Sequence, residues 1–183
     1  MKTHTAIIVF ILAFITQATW LRFLAINDIT PNLLLCLVIV FTFLYNKPYG
    51  VLFGVLLGFL WDMNFGIYMG VSSASLLIVA ITILIFKKPF NSESILPAII
   101  AGIIGSVLFS CIYLSVYKLM GAPHSISYLL KPQPYLILYN VVIVMVFHII
   151  LRRSIIRNKR REYYGSGYNM IGRFQAKGKK WVG

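Results

Sequence analysis

The sequence predicts an all-α integral membrane protein with about six transmembrane helices. Of its 183 residues, 60% are hydrophobic and only 11% are charged, which is less than half of the roughly 25% charged residues typical of soluble domains. The mean hydropathy is +0.86. A soluble domain of this length cannot bury so much apolar surface in one core, so a bilayer must solvate it.

The first half of the chain contains three apolar runs. The first extends from about Thr5 to Leu24 and is long enough to cross the hydrocarbon core of a bilayer. Two shorter runs, Leu33–Tyr45 and Tyr49–Trp61, would each reach only about 20 Å as helices. Lys47 lies between them, and a cation near the bilayer centre costs several kcal/mol. We therefore favour two short helices over one kinked helix, and five spans are the alternative to six.

The second half of the chain contains three more apolar runs. They follow a loop of helix breakers at 62–70 and comprise Val71–Phe86, Ile95–Tyr117 and Tyr135–Leu151. Residues 1–151 therefore form a predicted transmembrane domain, and residues 152–183 form a basic tail that also contains aromatic side chains.

The net charge of +13 is concentrated in this tail, which carries ten of the 17 Lys and Arg residues and a single acid, Glu162. Its first basic cluster comprises Arg152, Arg153, Arg157, Lys159, Arg160 and Arg161. Basic side chains beside a membrane are attracted to anionic lipid headgroups. Because the tail directly follows a membrane segment, we expect it to bind anionic lipid rather than nucleic acid.

The placement of basic residues also predicts the orientation, since loops rich in Lys and Arg stay in the cytoplasm. With six spans and a cytoplasmic N-terminus, the cytoplasmic side holds the tail, Lys47 and Lys87-Lys88. The loop that begins at Asp62 then lies outside the cell. Five spans would move the N-terminus and Lys47, but would leave the tail inside and the Asp62 loop outside.

The third apolar run has glycine at every fourth position, at Gly50, Gly54 and Gly58. This spacing places all three on one helix face, where another helix backbone can approach closely. Gly102 and Ser106 repeat the spacing on the fifth run, and we expect them to lie opposite this glycine stripe. Two alternatives stay open for the stripe, namely packing inside the bundle and binding of another protein.

Asp62 is the acid that the sequence places at the end of a membrane helix. An ionised carboxylate there is costly unless it is solvated or paired. Three roles are open. Asp62 could cap the next helix by accepting hydrogen bonds from backbone N–H groups, it could pair with Arg22, or it could be a proton or ligand site.

The residues that enzymes use are not arranged for catalysis. The four acids are scattered along the chain, and no pair has the spacing of a general acid and a general base. The sequence contains no HExxH, GxSxG or phosphate-binding glycine motif. Its two cysteines also lack the CxxC spacing of metal sites. We therefore predict a protein that is not an enzyme and has no cofactor or metal.

An ordered set of residues that starts with Pro31-Asn32-Leu33-Leu34-Leu35, continues through the glycine stripe to Asp62 and ends at Gly66 and Gly70 resembles the MreD family of rod shape-determining proteins. Pro31-Asn32-Leu33-Leu34-Leu35 resembles the P-D/N-L-L-L opening of the family motif. The stretch from Gly50 to Asp62, with glycine also at positions 54 and 58, resembles the glycine-rich segment that follows. Gly66 and Gly70 match the next glycines. The sequence departs from the pattern at Trp61, which is usually aliphatic, and in the basic tail.

The resemblance implies a location, a fold and a set of partners. MreD proteins lie in the bacterial cytoplasmic membrane and pair with MreC, a single-span protein with a large outer domain. Together with MreB, RodA and a class B penicillin-binding protein, they support lateral peptidoglycan synthesis and rod shape. Their compact helical bundle is similar to the substrate-binding subunits of energy-coupling-factor transporters.

We therefore expect a multi-pass, non-enzymatic scaffold that binds MreC, with both termini in the cytoplasm. The alternative is a substrate-capture subunit of a transporter for small, vitamin-type molecules. That alternative follows from the similar fold alone, which does not by itself imply function. It also requires several polar side chains that converge on the outer side, and the outer loops offer few.

Overall fold

A computed structural model describes residues 3–19, 25, 29–45, 49–66, 68–90, 94–119, 121 and 131–153. These residues form six helices and no strand: α1 (Thr3–Thr19), α2 (Leu33–Leu44), α3 (Tyr49–Phe65), α4 (Val71–Phe86), α5 (Ile95–Leu119) and α6 (Gln133–Arg153). The predicted all-helical class is confirmed. The predicted bounds of α4 are reproduced, whereas α5 and α6 extend two residues beyond their predicted ends. The predicted end of α1, at residues 20–24, lies outside the described residues.

The second helix forms the centre of the bundle. All 12 residues of α2 are buried, and α1, α3, α4 and α5 each pack against it. The sequence of α2 is apolar on every side, apart from Cys36 and Thr42. A helix that is hydrophobic all round has no face suited to water and is placed inside a protein or a membrane. The core of the molecule is therefore arranged around α2.

The predicted end of α3 at Trp61 is wrong, because the helix continues for another turn to Phe65. Asp62 lies inside this turn and is 2% exposed. One carboxylate oxygen, Oδ2, accepts hydrogen bonds from the backbone N–H groups of Ser72, at 2.8 Å, and Ser73, at 3.4 Å. These donors belong to the first turn of α4, where a negative charge is stabilised. The acid thus caps the next helix instead of ending its own.

The C-terminal end of α2 is closed by a lysine from another helix. Lys87 follows the last residue of α4, and its Nζ donates hydrogen bonds to the carbonyl oxygens of Thr42, at 2.7 Å, and Tyr45, at 2.6 Å. The last carbonyl groups of a helix have no partner within the helix. Partial burial lowers the pKa of the Lys87 ammonium, and the two carbonyl oxygens offset part of that cost.

The glycine stripe of α3 faces α2 and α4. Gly50 and Gly54 lie against α2, and a Cβ on Gly54 would be 2.8 Å from a methyl carbon of Val38. Gly58 lies against α4, where a Cβ would be 2.9 Å from the Cα of Ser73. These distances are too short for any other residue without movement of the neighbouring helix. The stripe therefore packs inside the bundle.

The expected pairing of this stripe with the small residues of α5 is wrong. Gly102 faces α6 instead, where a Cβ would be 3.3 Å from Val144. The neighbouring Gly105 lies against α2, where a Cβ would be 2.6 Å from Cδ1 of Ile39. Ser106 is 1% exposed, and its hydroxyl has no hydrogen-bond partner among the described residues. Helix α5 thus uses its small residues to approach α2 and α6, because α2 occupies the centre of the bundle.

Replacement of Lys87 by methionine tests the closure of α2. Lys87→Met keeps much of the side-chain volume but removes the donor to two carbonyl groups, so we expect the free energy of unfolding to fall by about 1–3 kcal/mol. Lys88→Met is the matched control, because Lys88 is exposed. Unfolding in mixed micelles with increasing denaturing detergent measures both. Equal stability of the two variants would show that the Lys87 contacts are not needed.

Candidate functional site

Three side-chain amides converge at the N-terminal end of α2. The Asn32 side chain accepts a hydrogen bond from the N–H of Leu35 at 3.0 Å, and Oε1 of Gln17 accepts from the N–H of Leu34 at 2.9 Å. The N–H of Asn32 itself donates to Oδ1 of Asn140 at 2.9 Å. The first N–H groups of a helix lack partners within the helix. Here, three of them are satisfied by one residue from α1, one from α6 and the N-cap of α2.

Asn140 joins α6 to this end of α2. Asn140 is 1% exposed. In addition to its bond with Asn32, its backbone oxygen lies 3.5 Å from Sγ of Cys36. Farther along α6, the ring of the buried His148 lies beside Phe43, with ring centres 6.1 Å apart. Helix α6 therefore contacts α2 near both ends of α2.

The backbone donors fix which way two of these amides point. An N–H group must bond to the carbonyl oxygen of an amide and not to its NH₂ group. The oxygens of Gln17 and Asn140 therefore face α2, and their NH₂ groups are not used in these bonds.

A cavity of about 390 Å³ adjoins the three amides. It is lined by Gln17, Ala18, Thr30, Pro31, Asn32, Trp61, Phe65, Phe109, Leu136 and Asn140. The amides supply hydrogen-bond donors, whereas aromatic and aliphatic side chains form most of the remaining wall. The cavity suits a group with hydrogen-bond acceptors on an apolar body.

A second cavity of about 330 Å³ is an apolar groove along the side of α2. It is lined by Val9, Leu12, Ala13 and Thr16 of α1, Leu33 and Leu37 of α2, and Phe147, Ile150 and Leu151 of α6. Helices α1 and α6 thus contribute to the walls of both cavities, with α2 between them. We refer to the polar cavity and the apolar groove together as the α1–α6 cleft.

The remaining motif residues shape the hairpin between α3 and α4. Gly70 has a φ of +87°, a left-handed conformation that glycine adopts without strain. Gly66 ends α3, and its N–H donates to the carbonyl oxygen of Asp62 at 2.9 Å. Of the three roles open for Asp62, the structure shows helix capping. Arg22 lies outside the described residues, and the described part of the chain has no cluster of three potential metal ligands.

The structure brings together some of the predicted site residues and separates others. Pro31, Asn32 and Leu33 form the start of α2, and Trp61 reaches the same cavity from α3. Asp62 instead serves the α3–α4 hairpin. In the basic cluster, Arg152 and Arg153 belong to the last turn of α6, while the other four lie outside the described residues.

The sequence did not predict that Gln17, Asn140 or Lys87 would bond to the backbone at the ends of α2, although each of them does so. For Gln17 and Asn140, the sequence did contain a feature that indicates a bonding role. Uncharged polar side chains inside apolar runs are expensive in a membrane unless they bond to another group there. The partners themselves lie 17 and 108 residues away along the chain and could not be read from local patterns.

Replacement of Asn140 by leucine tests the amide cluster. Asn140→Leu leaves the buried N–H of Asn32 without an acceptor, so we expect a loss of about 1–3 kcal/mol in the free energy of unfolding. Asn64→Leu is the control, because Asn64 is exposed and donates only to Leu60 in its own helix. Stability in mixed micelles is the measurement. If both variants were equally stable, the cluster would not hold α6 to α2.

Comparison with known proteins gives a family match that covers most of the chain. The family model described as rod shape-determining protein MreD matches residues 2–155. This range includes all six described helices and ends just after α6, so the greater part of the basic tail falls outside it. The comparison with curated proteins and the comparison with solved structures each returned no match.

Proposed function

The chain belongs to the MreD family of rod shape-determining membrane proteins, and from this membership we propose that it is a non-enzymatic scaffold that binds MreC. In this role it supports lateral peptidoglycan synthesis and, through MreC, acts with MreB, RodA and a class B penicillin-binding protein. The observation that carries the proposal is the α1–α6 cleft, which combines a polar cavity and an apolar groove beside α2.

We place the protein in the bacterial cytoplasmic membrane as a six-pass bundle. Helices α5 and α6 have the length and hydropathy of membrane spans, and the shorter helices α1, α3 and α4 pack with them around α2. Helices α4 and α6 would both run toward the cytoplasm. Basic residues lie at these cytoplasmic ends, Lys87 and Lys88 after α4 and Arg152 and Arg153 at the end of α6, which agrees with the positive-inside rule. This orientation places both termini in the cytoplasm, the basic tail on anionic lipid, and the N-terminal end of α2 on the outer side.

The cleft matches the architecture expected of MreC. A single-span protein with an outer domain presents an apolar helix within the membrane, followed by a polar segment at the outer surface. The apolar groove suits the helix, since its walls carry only one polar side chain, Thr16. The cavity above it has the NH₂ groups of Gln17 and Asn140, which suit the carbonyl oxygens of a segment that leaves the membrane.

The glycine stripe of α3 is not the proposed docking surface. Its three glycines already contact α2 and α4, which favours internal packing over the binding of another protein. Helices α1 and α6, in contrast, leave large apolar side chains exposed along the cleft. Leu12 of α1 is 57% exposed and Ile150 of α6 is 58% exposed.

Obstruction of the cleft tests the proposal. Leu12→Trp and Ile150→Trp place a large ring at its rims, so we expect each to reduce the MreC that co-purifies in mild detergent by about fivefold or more. Leu52→Trp is the matched control, because Leu52 is 55% exposed on α3 and does not line the cleft. We expect this control to retain MreC as the unmodified protein does.

Equal recovery of MreC with all three variants would contradict docking in the cleft. Failure of the unmodified protein to retain MreC would contradict the scaffold itself. The polar cavity keeps the substrate-capture alternative as a second candidate, since its volume of about 390 Å³ can hold a small molecule. A stoichiometric small molecule in native mass spectrometry, together with no retained MreC, would favour that alternative.

A further inference from the structure

The six helices differ greatly in length relative to a bilayer. Helix α4 has 16 residues and is about 24 Å long. Its ends are defined by the left-handed Gly70 and by the turn that starts at Lys87. Helix α5 has 25 residues and is about 37 Å long. The hydrocarbon core of a typical bilayer is about 30 Å thick, so α4 is shorter than the core and α5 is longer.

The lipid-facing surface of the α3–α4 hairpin is correspondingly short. On α4 the large exposed apolar side chains extend from Ile78 to Ile85, and on α3 they extend from Leu52 to Phe65. Met69 and Phe90, which are also exposed, lie just outside the ends of α4. Exposed polar residues also lie near both ends of the hairpin, Asn64 at one and Lys88 at the other. On α5, exposed apolar side chains extend much farther, from Ile95 to Leu119.

The two mismatches cannot be relieved in the same way. A long helix such as α5 can tilt until its apolar length fits the bilayer, whereas a short hairpin gains nothing by tilting. A lysine can also reach from a short helix to the headgroups. Lys87 is not available for this, because its Nζ is held by the carbonyl oxygens of Thr42 and Tyr45. The exposed Lys88 can reach the headgroups at the Lys87 end. The loop at 62–70 has no Lys or Arg, so at that end the remaining response is a thinner bilayer beside the hairpin.

We propose that the exposed face of the α3–α4 hairpin is a binding surface for phospholipids with short acyl chains, at which the bilayer is locally thinned. The proposal rests on the six-pass arrangement proposed above. Lipid is favoured over a second copy of the chain because the small residues that allow close helix contact, Gly50, Gly54 and Gly58, face inward. The outward face consists mainly of Leu, Ile, Phe and Met side chains.

A pair of tryptophan reporters tests the proposal. Trp20, Trp61 and Trp181 are replaced by phenylalanine, and one reporter is introduced by Ile78→Trp on α4 or by Ile103→Trp on α5. The two positions form a matched pair, since each isoleucine is 44% exposed. The full chain is placed in vesicles of brominated eighteen-carbon phosphatidylcholine mixed with unbrominated fourteen-carbon or twenty-two-carbon phosphatidylcholine. Relief of fluorescence quenching then measures how well each unbrominated lipid binds beside each reporter.

At the α4 reporter, we expect the fourteen-carbon lipid to displace the brominated lipid about twofold better than the twenty-two-carbon lipid does. At the α5 reporter, we expect no such preference. Ile81→Trp and Val107→Trp provide a second pair on the same helices, should a first variant fail to fold. Equal chain-length preference on α4 and α5 would overturn the proposal.

Other outcomes separate this proposal from the scaffold. Quenching on α5 but not on α4 would show that protein, such as a second copy of the chain, covers the hairpin. Absence of quenching at both positions would overturn the six-pass arrangement as well. Loss of MreC binding would leave the lipid result unchanged, because the vesicles contain this protein alone.

Discussion

The burial of α2 is the constraint on which the rest of the structure depends. This helix has 12 residues, all buried, and is about 18 Å long, so both of its ends lie deep within the bundle. Water cannot satisfy the unpaired N–H and carbonyl groups of a helix end in such a place, and each would cost several kcal/mol. Three neighbouring helices supply these partners instead. Gln17 and Asn140 contribute to the first turn of α2, and Lys87 closes the last.

The same caps create the surface to which we assign the function. Gln17 and Asn140 connect α1 and α6 to the N-terminal end of α2, and residues of these two helices line the α1–α6 cleft. The amide oxygens are occupied by the backbone of α2, so the NH₂ groups are available to a bound partner. A structural requirement of a short buried helix thus yields a polar cavity within a largely apolar helical bundle.

Local patterns in the sequence predicted the elements better than their contacts. The bounds of α4 and the start of α2 follow from apolar runs that end at Gly70, Lys87 and Asn32. The end of α3 was missed, because Asp62 interrupts the apolar pattern yet is paired with N–H groups ten residues away. The partner of the glycine stripe was also missed. Two helices can approach closely when only one of them has small residues. The matching spacing of small residues on α3 and α5 therefore did not show which helices pack together.

Residue-resolved hydrogen exchange by NMR tests the central claim, that other helices satisfy the buried ends of α2. First-turn amides of a helix normally exchange fast because they have no partner within the helix. The structure predicts slow exchange for Leu34 and Leu35, which donate to Gln17 and Asn32. It predicts fast exchange for Leu96, which is 70% exposed in the first turn of α5. Exchange of Leu34 and Leu35 as fast as that of Leu96 would contradict the account.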